Sequence, residues 1–214
     1  DTNRDHMVCP GMVYLSHPTE YGTLYTMNEL EAISAICRAN NIPLFLDGAR
    51  LAYALGCSAN ELTLAAVARL TDVFYIGGTK CGALLGEAVV FPKPNTVPHF
   101  FTIVKQNGAL LAKGRVLGIQ FDTLFTDMLY ERGGKHAIAM ADRIRAALTE
   151  KGYRLAADSP TNQIFLELNE AQLAHLSEHI VMGFWEKQGD VTVMRIATSW
   201  ATREEDVERL IAVL

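Results

Sequence analysis

Apolar positions along the chain recur with two periods, and their alternation predicts the elements. Residues 12–16 (MVYLS) form a short β-prone run, followed by the turn-rich His17-Pro18-Thr19-Glu20-Tyr21-Gly22. Thr26-Met27-Asn28-Glu29 reads as a capping box, in which the Thr hydroxyl and the Glu side chain satisfy each other's backbone amides. Behind it Leu30, Ile33, Ile36 and Cys37 repeat at helical spacing, so a helix is expected to about Asn40, with Pro43 ending it. Residues 44–46 and 73–76 are continuous apolar strands, with a helix at 62–70 between them. Strands that are apolar without alternation imply a parallel sheet covered on both faces, so this half is α/β.

The pattern changes after residue 91. Residues 83–91 read as a further strand, and Pro92, Pro94 and Pro98 punctuate the next stretch of chain. Residues 100–131 carry one long helical pattern, broken by Gly133-Gly134, and a second helix is expected over 135–151 with Gly152 as its C-cap. A β-prone run at 153–156, a strand at 163–168, a helix at 169–179, strands at 181–185 and 191–198, and a closing helix from Thr202 complete the chain. These spacings predict a smaller α+β domain over 134–214 behind a partial sheet domain with its linking helix over 1–133.

Composition narrows the function. Half of the 214 residues are hydrophobic, a fifth are charged and the net charge is −5. That is ordinary globular composition, and it offers no basic footprint for nucleic acid. No uncharged apolar stretch is long enough to span a bilayer, so no membrane or nucleic-acid partner is expected. Cys9, Cys37, Cys57 and Cys81 lie far apart and show none of the paired spacing of a secreted scaffold, which favours a reducing, cytoplasmic location. The chain opens Asp1-Thr2-Asn3-Arg4-Asp5-His6 without an initiator Met and reads as a piece of a longer protein.

Ligands of open α/β sheets bind beyond the carboxyl ends of the strands. That rule selects Asp47-Gly48-Ala49-Arg50 after the strand at 44–46, and Gly77-Gly78-Thr79-Lys80 after the strand at 73–76. Asp47 alone serves equally as a helix N-cap, and a lone loop lysine is usually solvated. Lys80, however, is flanked by Gly77, Gly78 and Gly82 and followed by the apolar Ala83-Leu84-Leu85. Partial desolvation there would lower its pKa and make the amine nucleophilic. The segment is not a Walker A loop, since the upstream glycine and the Ser/Thr after the lysine are missing. An acid and a lysine at neighbouring strand ends suit pyridoxal phosphate, which enzymes hold as a lysine Schiff base with a carboxylate on the pyridine nitrogen. His175 and His179 share a helical spacing, but HLSEH is not HExxH, so no metal site is expected and both are read as surface residues of an amphipathic helix. His17 is read as a turn residue, although it is the one histidine placed near the crevice.

PLFLDGARLAYAL at 43–55 and LTDVFYIGGTKCGALLGEAVVF at 70–91 resemble the low-specificity threonine aldolase branch of the β-eliminating lyases. These enzymes share the fold of aspartate-aminotransferase-like pyridoxal phosphate enzymes. The resemblance extends to SHPTEYGTLYTMNELEAI at 16–33, LLAKGRVLGIQF at 110–121, TNQIF at 161–165 and VMRIATSWATREEDVERLI at 193–211. It implies a mostly parallel large-domain sheet with helices on both faces, plus a small α+β domain. It further implies that Lys80 is the Schiff-base lysine, Asp47 the pyridinium partner, Arg50 the arginine near both the cofactor's phenolic oxygen and the substrate carboxylate, and Arg195 the small-domain arginine that holds that carboxylate. Lys113 and Arg115 correspond to a basic patch near a neighbouring subunit, or to a solvated helix face. The implied reaction cleaves L-threonine or a related β-hydroxy-α-amino acid to glycine and an aldehyde, in a homodimer or homotetramer. The resemblance implies a preceding segment that supplies the glycine-rich phosphate cup and a ring-stacking histidine, with the general base sought in that segment or in a bound water. An aminotransferase or β-lyase would use the same residues. A non-catalytic fragment acting only in association is the reading from another class.

Overall fold

The computed structural model describes residues 4–94 and 96–214, so the opening residues 1–3 lie outside it. The first half is β1 (Val13–Ser16), α1 (Met27–Ala39), β2 (Leu44–Asp47), α2 (Leu51–Gly56), α3 (Leu64–Leu70), β3 (Val73–Gly77) and β4 (Glu87–Val90). These strands form one sheet in the order β1-β2-β3-β4, with β1, β2 and β3 parallel and β4 antiparallel to β3. The second half is α4 (Phe100–Gln106), α5 (Arg115–Phe125), α6 (Leu129–Glu150), β5 (Arg154–Leu155), β6 (Gln163–Leu168), α7 (Glu170–Ser177), β7 (Gly183–Gln188), β8 (Val191–Ala197) and α8 (Glu204–Val213). Its sheet, β5-β6-β8-β7, is antiparallel throughout. The expected capping box is present: Thr26 Oγ1 accepts from the Glu29 amide at 3.2 Å, and Glu29 Oε2 accepts from the Thr26 amide at 2.8 Å.

Two cores result. The first packs Leu44, Leu46, Phe74 and Ile76 under Leu30, Val67 and the wholly buried α2 residues Leu51–Ala54. The second packs Ile164, Leu166, Leu168 and Ile196 against Ile144 and Leu148 of α6 and Val207 and Leu210 of α8. Burial on this scale is the dominant favourable term in folding.

The first sheet is flanked by helices, as expected; on the face that carries Asp47, Phe45 and Tyr75 are half-buried, and Tyr14 and Val89 are 56% and 54% exposed. Three expectations are corrected. The strand expected over 83–91 is confined to Glu87–Val90. The long helical pattern at 100–131 splits into α4 and α5, because Asn107 and Gly108, the latter at φ 69°, turn the chain out of the helix. Gly133-Gly134 does not break a helix at all; α6 runs straight through it. A Cβ on Gly134 would lie 2.0 Å from the Ala52 carbonyl oxygen, so this glycine lets α6 cross α2 at backbone contact. The division placed near Gly133 therefore falls inside α6, whose Ala137 and Ile138 join the first core and whose Met140, Ala141 and Ile144 join the second.

Candidate active site

The loops after β2 and β3 are brought together by backbone. The Gly77 amide donates to the Gly48 carbonyl at 2.9 Å, and a Cβ on Gly48 or Gly77 would strike the Tyr75 or Ala49 carbonyl oxygen at 2.0 or 2.4 Å. Glycine at both positions is what permits this approach. It sets Asp47 at one strand end and Lys80 just past the neighbouring one, where the Lys80 charge acts on the Asp47 carboxylate.

Asp47 is not the N-cap of the following helix; that position belongs to Arg50. Its Oδ1 accepts from the Ala49 amide at 2.9 Å and from the Tyr75 hydroxyl, and its Oδ2 accepts from the Tyr14 hydroxyl. Burial alone would raise its pKa. The two phenols, the amide and Lys80 outweigh that and hold the carboxyl below its ordinary value, so Asp47 is a charged acceptor at neutral pH. The same contact works in reverse on its partners. Tyr75 is pushed up by burial and by Asp47, and Tyr14 by its hydrogen bond to Asp47 and by burial. Sequence reading missed both tyrosines. Strand alternation alone does not pair them with Asp47; it is the observed register that puts Tyr14, Asp47 and Tyr75 on one face of the sheet.

A cavity of about 270 Å³ lies between the two sheets, lined by Arg50, Tyr53, Lys80, Asn162, Gln163, Arg195, Ala197, Thr198 and Ser199. The structure thus brings Lys80, Arg50 and Arg195 to one space, and Asp47 stands beside it rather than in its wall. Arg50 is largely buried and pairs with Glu20 at 3.4 Å. Tyr53, also missed in the sequence, donates its hydroxyl to the Lys80 carbonyl and so pins the lysine's backbone from α2. Asn162 donates from Nδ2 to the Thr198 carbonyl at 2.7 Å, while its buried Oδ1 has no partner among the described residues.

The expected partial desolvation of Lys80 is corrected. The side chain is exposed, and Leu84, part of the apolar run meant to cover it, is 89% exposed. Lys113, in the turn before α5, and Arg115, its first residue, are exposed and do not line the cavity. His17 is a buried turn residue, its Nε2 3.1 Å from Asn60 Oδ1, and burial pulls its pKa down. His175 lies on α7 and contacts the Val213 carbonyl, but His179 falls beyond the end of that helix. Among the described residues no cluster of three or more His, Cys, Asp or Glu could hold a metal ion, and no helix is long and apolar enough to cross a membrane.

A carboxylate, an arginine and a lysine beyond adjacent ends of parallel strands, with a second arginine across a cleft on a small antiparallel domain, define a class: α/β proteins built on the pyridoxal-phosphate transferase fold. The solved structure of an aminotransferase from Staphylococcus aureus shares the fold alone, with a TM-score of 0.70 at 14% identity over 95% of this chain and 57% of its own. The family model for β-eliminating lyases matches residues 1–184, and the chain belongs to that family. It is 33% identical over 211 residues to a low specificity L-threonine aldolase from a Pseudomonas species, covering 97% of this chain and 60% of that protein. A solved threonine aldolase from Leishmania major superposes with a TM-score of 0.94 at 46% identity, over 98% of this chain and 61% of its own. The chain thus spans about three fifths of the length of these relatives.

Proposed function

We propose that this chain is part of a pyridoxal 5′-phosphate-dependent threonine aldolase that cleaves L-threonine or a related β-hydroxy-α-amino acid to glycine and an aldehyde. The observation that carries this reading is the convergence of Lys80, Arg50 and Arg195 on one cavity, beside an Asp47 held in its charged form. The names of the relatives support it. The donor set fits the cofactor chemically: an amine to bond its aldehyde, a carboxylate for its ring nitrogen, and two cations for the substrate carboxylate. When bound, pyridoxal phosphate supplies a ring that accepts the electrons released at the substrate Cα. Lys80 would hold the cofactor through its side-chain amine. Asp47 keeps a negative charge at the strand end, where it favours a protonated ring. Arg50 and Arg195 bind and orient the substrate carboxylate, which fixes the Cα–Cβ bond relative to the ring. On this reading residues 1–133 belong to the cofactor-binding domain and 134–214 form the small domain, with α6 joining them. Four free cysteines, three of them buried, fit a reducing cytoplasm.

The test is to add pyridoxal phosphate to the protein, reduce with borohydride and map the labelled peptide. The label is expected on Lys80, and Lys80→Ala is expected to abolish both the label and aldehyde release from L-threonine. A label scattered over surface lysines, unchanged aldehyde release in the variant, or a keto acid as product would overturn the reading.

The protein is further proposed to work as a homodimer or homotetramer. Leu84, Leu85, Phe101, Leu111, Val116 and Ile119 are all exposed along the segment from the Lys80 loop to α5. Large apolar side chains exposed in this number are what an interface between copies would cover. Sedimentation at micromolar concentration is expected to report at least a dimer, and a monomer would refute this.

A further inference from the structure

Arg195 reaches the cavity from β8, where its backbone pairs with Phe165 of β6; its side chain emerges on the face that also carries Gln163. A guanidinium on a long stem has many rotamers, and useful bidentate recognition needs one of them. Two contacts select it. Arg195 Nη1 donates to Gln163 Oε1 at 3.2 Å, and the guanidinium carbon stands over the Trp185 ring, 5.6 Å from its centroid. Both partners are uncharged, so they orient the fork without neutralising it.

Gln163 is itself fixed. Its side chain is fully buried, and Nε2 donates to the Glu20 carbonyl at 3.0 Å. With a carbonyl on one side and a guanidinium on the other, the amide has one orientation that satisfies both. Trp185 is held in turn by the rings of Phe165 and Tyr21, at 4.9 and 5.2 Å. Glu20 and Tyr21 lie on the turn after β1, and the Glu20 carboxylate pairs with Arg50. One turn therefore reaches both arginines: Arg50 through a side chain, Arg195 through Gln163.

We propose that Gln163 is a positioning residue for substrate binding: held by the Glu20 carbonyl, it sets the Arg195 fork toward the substrate carboxylate. The proposal rests on the reading of Arg195 as a carboxylate holder. It gives a reason for an amide at this position. A methionine of similar length would leave the fork free, and a glutamate would give Arg195 a resident counter-ion in competition with the substrate.

The experiment is a glycine titration of the cofactor-loaded protein, read by cofactor absorbance, for wild type, Gln163→Met, Gln163→Glu and Arg195→Lys. The methionine variant is expected to bind glycine roughly tenfold more weakly and the glutamate variant up to roughly a hundredfold, as befits a hydrogen bond to a charged group. For L-threonine the change falls on KM, while kcat and cofactor affinity stay close to wild type and the thermal midpoint falls only by the few degrees that one lost buried hydrogen bond brings. Without cofactor, in a Trp200→Phe background, Trp185 becomes more accessible to acrylamide quenching in Gln163→Met. If Arg195→Lys binds glycine like wild type, the carboxylate-holder reading fails, and this proposal with it. If Arg195→Lys weakens glycine while both Gln163 variants do not, the positioning role alone is overturned. It is overturned equally if the variants lose cofactor affinity and thermal stability in step with glycine affinity, the mark of a purely structural role.

Discussion

Gly134→Ala is expected to destabilise the chain by about 3–5 kcal/mol, a large share of the total stability of an ordinary domain. In most helices the same exchange is favourable by up to about 1 kcal/mol, because alanine is the better helix former. Here the added methyl would meet backbone: the Ala52 carbonyl oxygen at 2.0 Å and its carbon at 2.7 Å. The crossing is equally tight from the other side, where a Cβ on Gly56 would lie 2.4 Å from the Gly134 carbon and the Lys135 nitrogen. No side chain can rotate aside to relieve either contact, so α2 and α6 must separate. Gly133→Ala is the control, since its Cβ would meet only the Trp200 side chain at 3.3 Å. Urea denaturation of the two variants is expected to show a lowered midpoint for Gly134→Ala and a nearly unchanged one for Gly133→Ala. Equal midpoints would refute the close-crossing account. The damage should also reach the site, because Arg50 is the N-cap of α2 and α2 carries Tyr53, which holds the Lys80 backbone.

Asp47→Asn is expected to lower aldehyde release from L-threonine by at least about a hundredfold, the size of effect seen when one preorganised electrostatic contact is lost from a site. The amide is nearly the same shape, so the loss isolates the charge. Two signatures need no cofactor. Tyr75 and Tyr14 are held above the ordinary tyrosine range partly by this carboxylate, so their ionisation, followed by ultraviolet difference absorbance, moves to lower pH in the variant. The carboxyl itself sits below its usual value in the folded state. Its contribution to stability is therefore complete above about pH 4 and is lost as pH falls through the folded value. The acid limb of the wild-type stability profile should be steeper than that of Asp47→Asn. Aldehyde release within tenfold of wild type would remove Asp47 from the proposed chemistry.

Much of this architecture is legible in the sequence where local rules act alone. The Thr26–Glu29 capping box, the apolar strands at β2 and β3 and the acid and lysine beyond them are all set by spacing. The features that escape local reading depend on partners distant in the chain. Gly133-Gly134 looks like a helix break until α2 is laid against it. The helix α2 itself shows no amphipathic period, because Leu51–Ala54 are buried on every side. Lys80 reads as shielded by its apolar successors, but Leu84 and Leu85 point away into solvent. The tyrosines on Asp47 come from two flanking strands, and only the register between strands puts them on one carboxylate. Gln163 is a further case: nothing in TNQIF says that its amide will bridge a guanidinium and a loop carbonyl.

The turn after β1 also bears on how the two sheets move relative to each other. The Gly22 carbonyl accepts from Thr161 Oγ1 at 3.0 Å, the Glu20 carbonyl accepts from Gln163, and Tyr21 packs on Phe165 and Trp185. A hinge between the sheets would have to break all of these at once. At about 1 kcal/mol for each hydrogen bond and a similar amount for each aromatic contact, the swung-open form would be scarce, below about one molecule in a hundred. The molecule's rest state is thus a clasped one, in which this turn adds a fastening at the cleft to the joint that α6 makes through both cores.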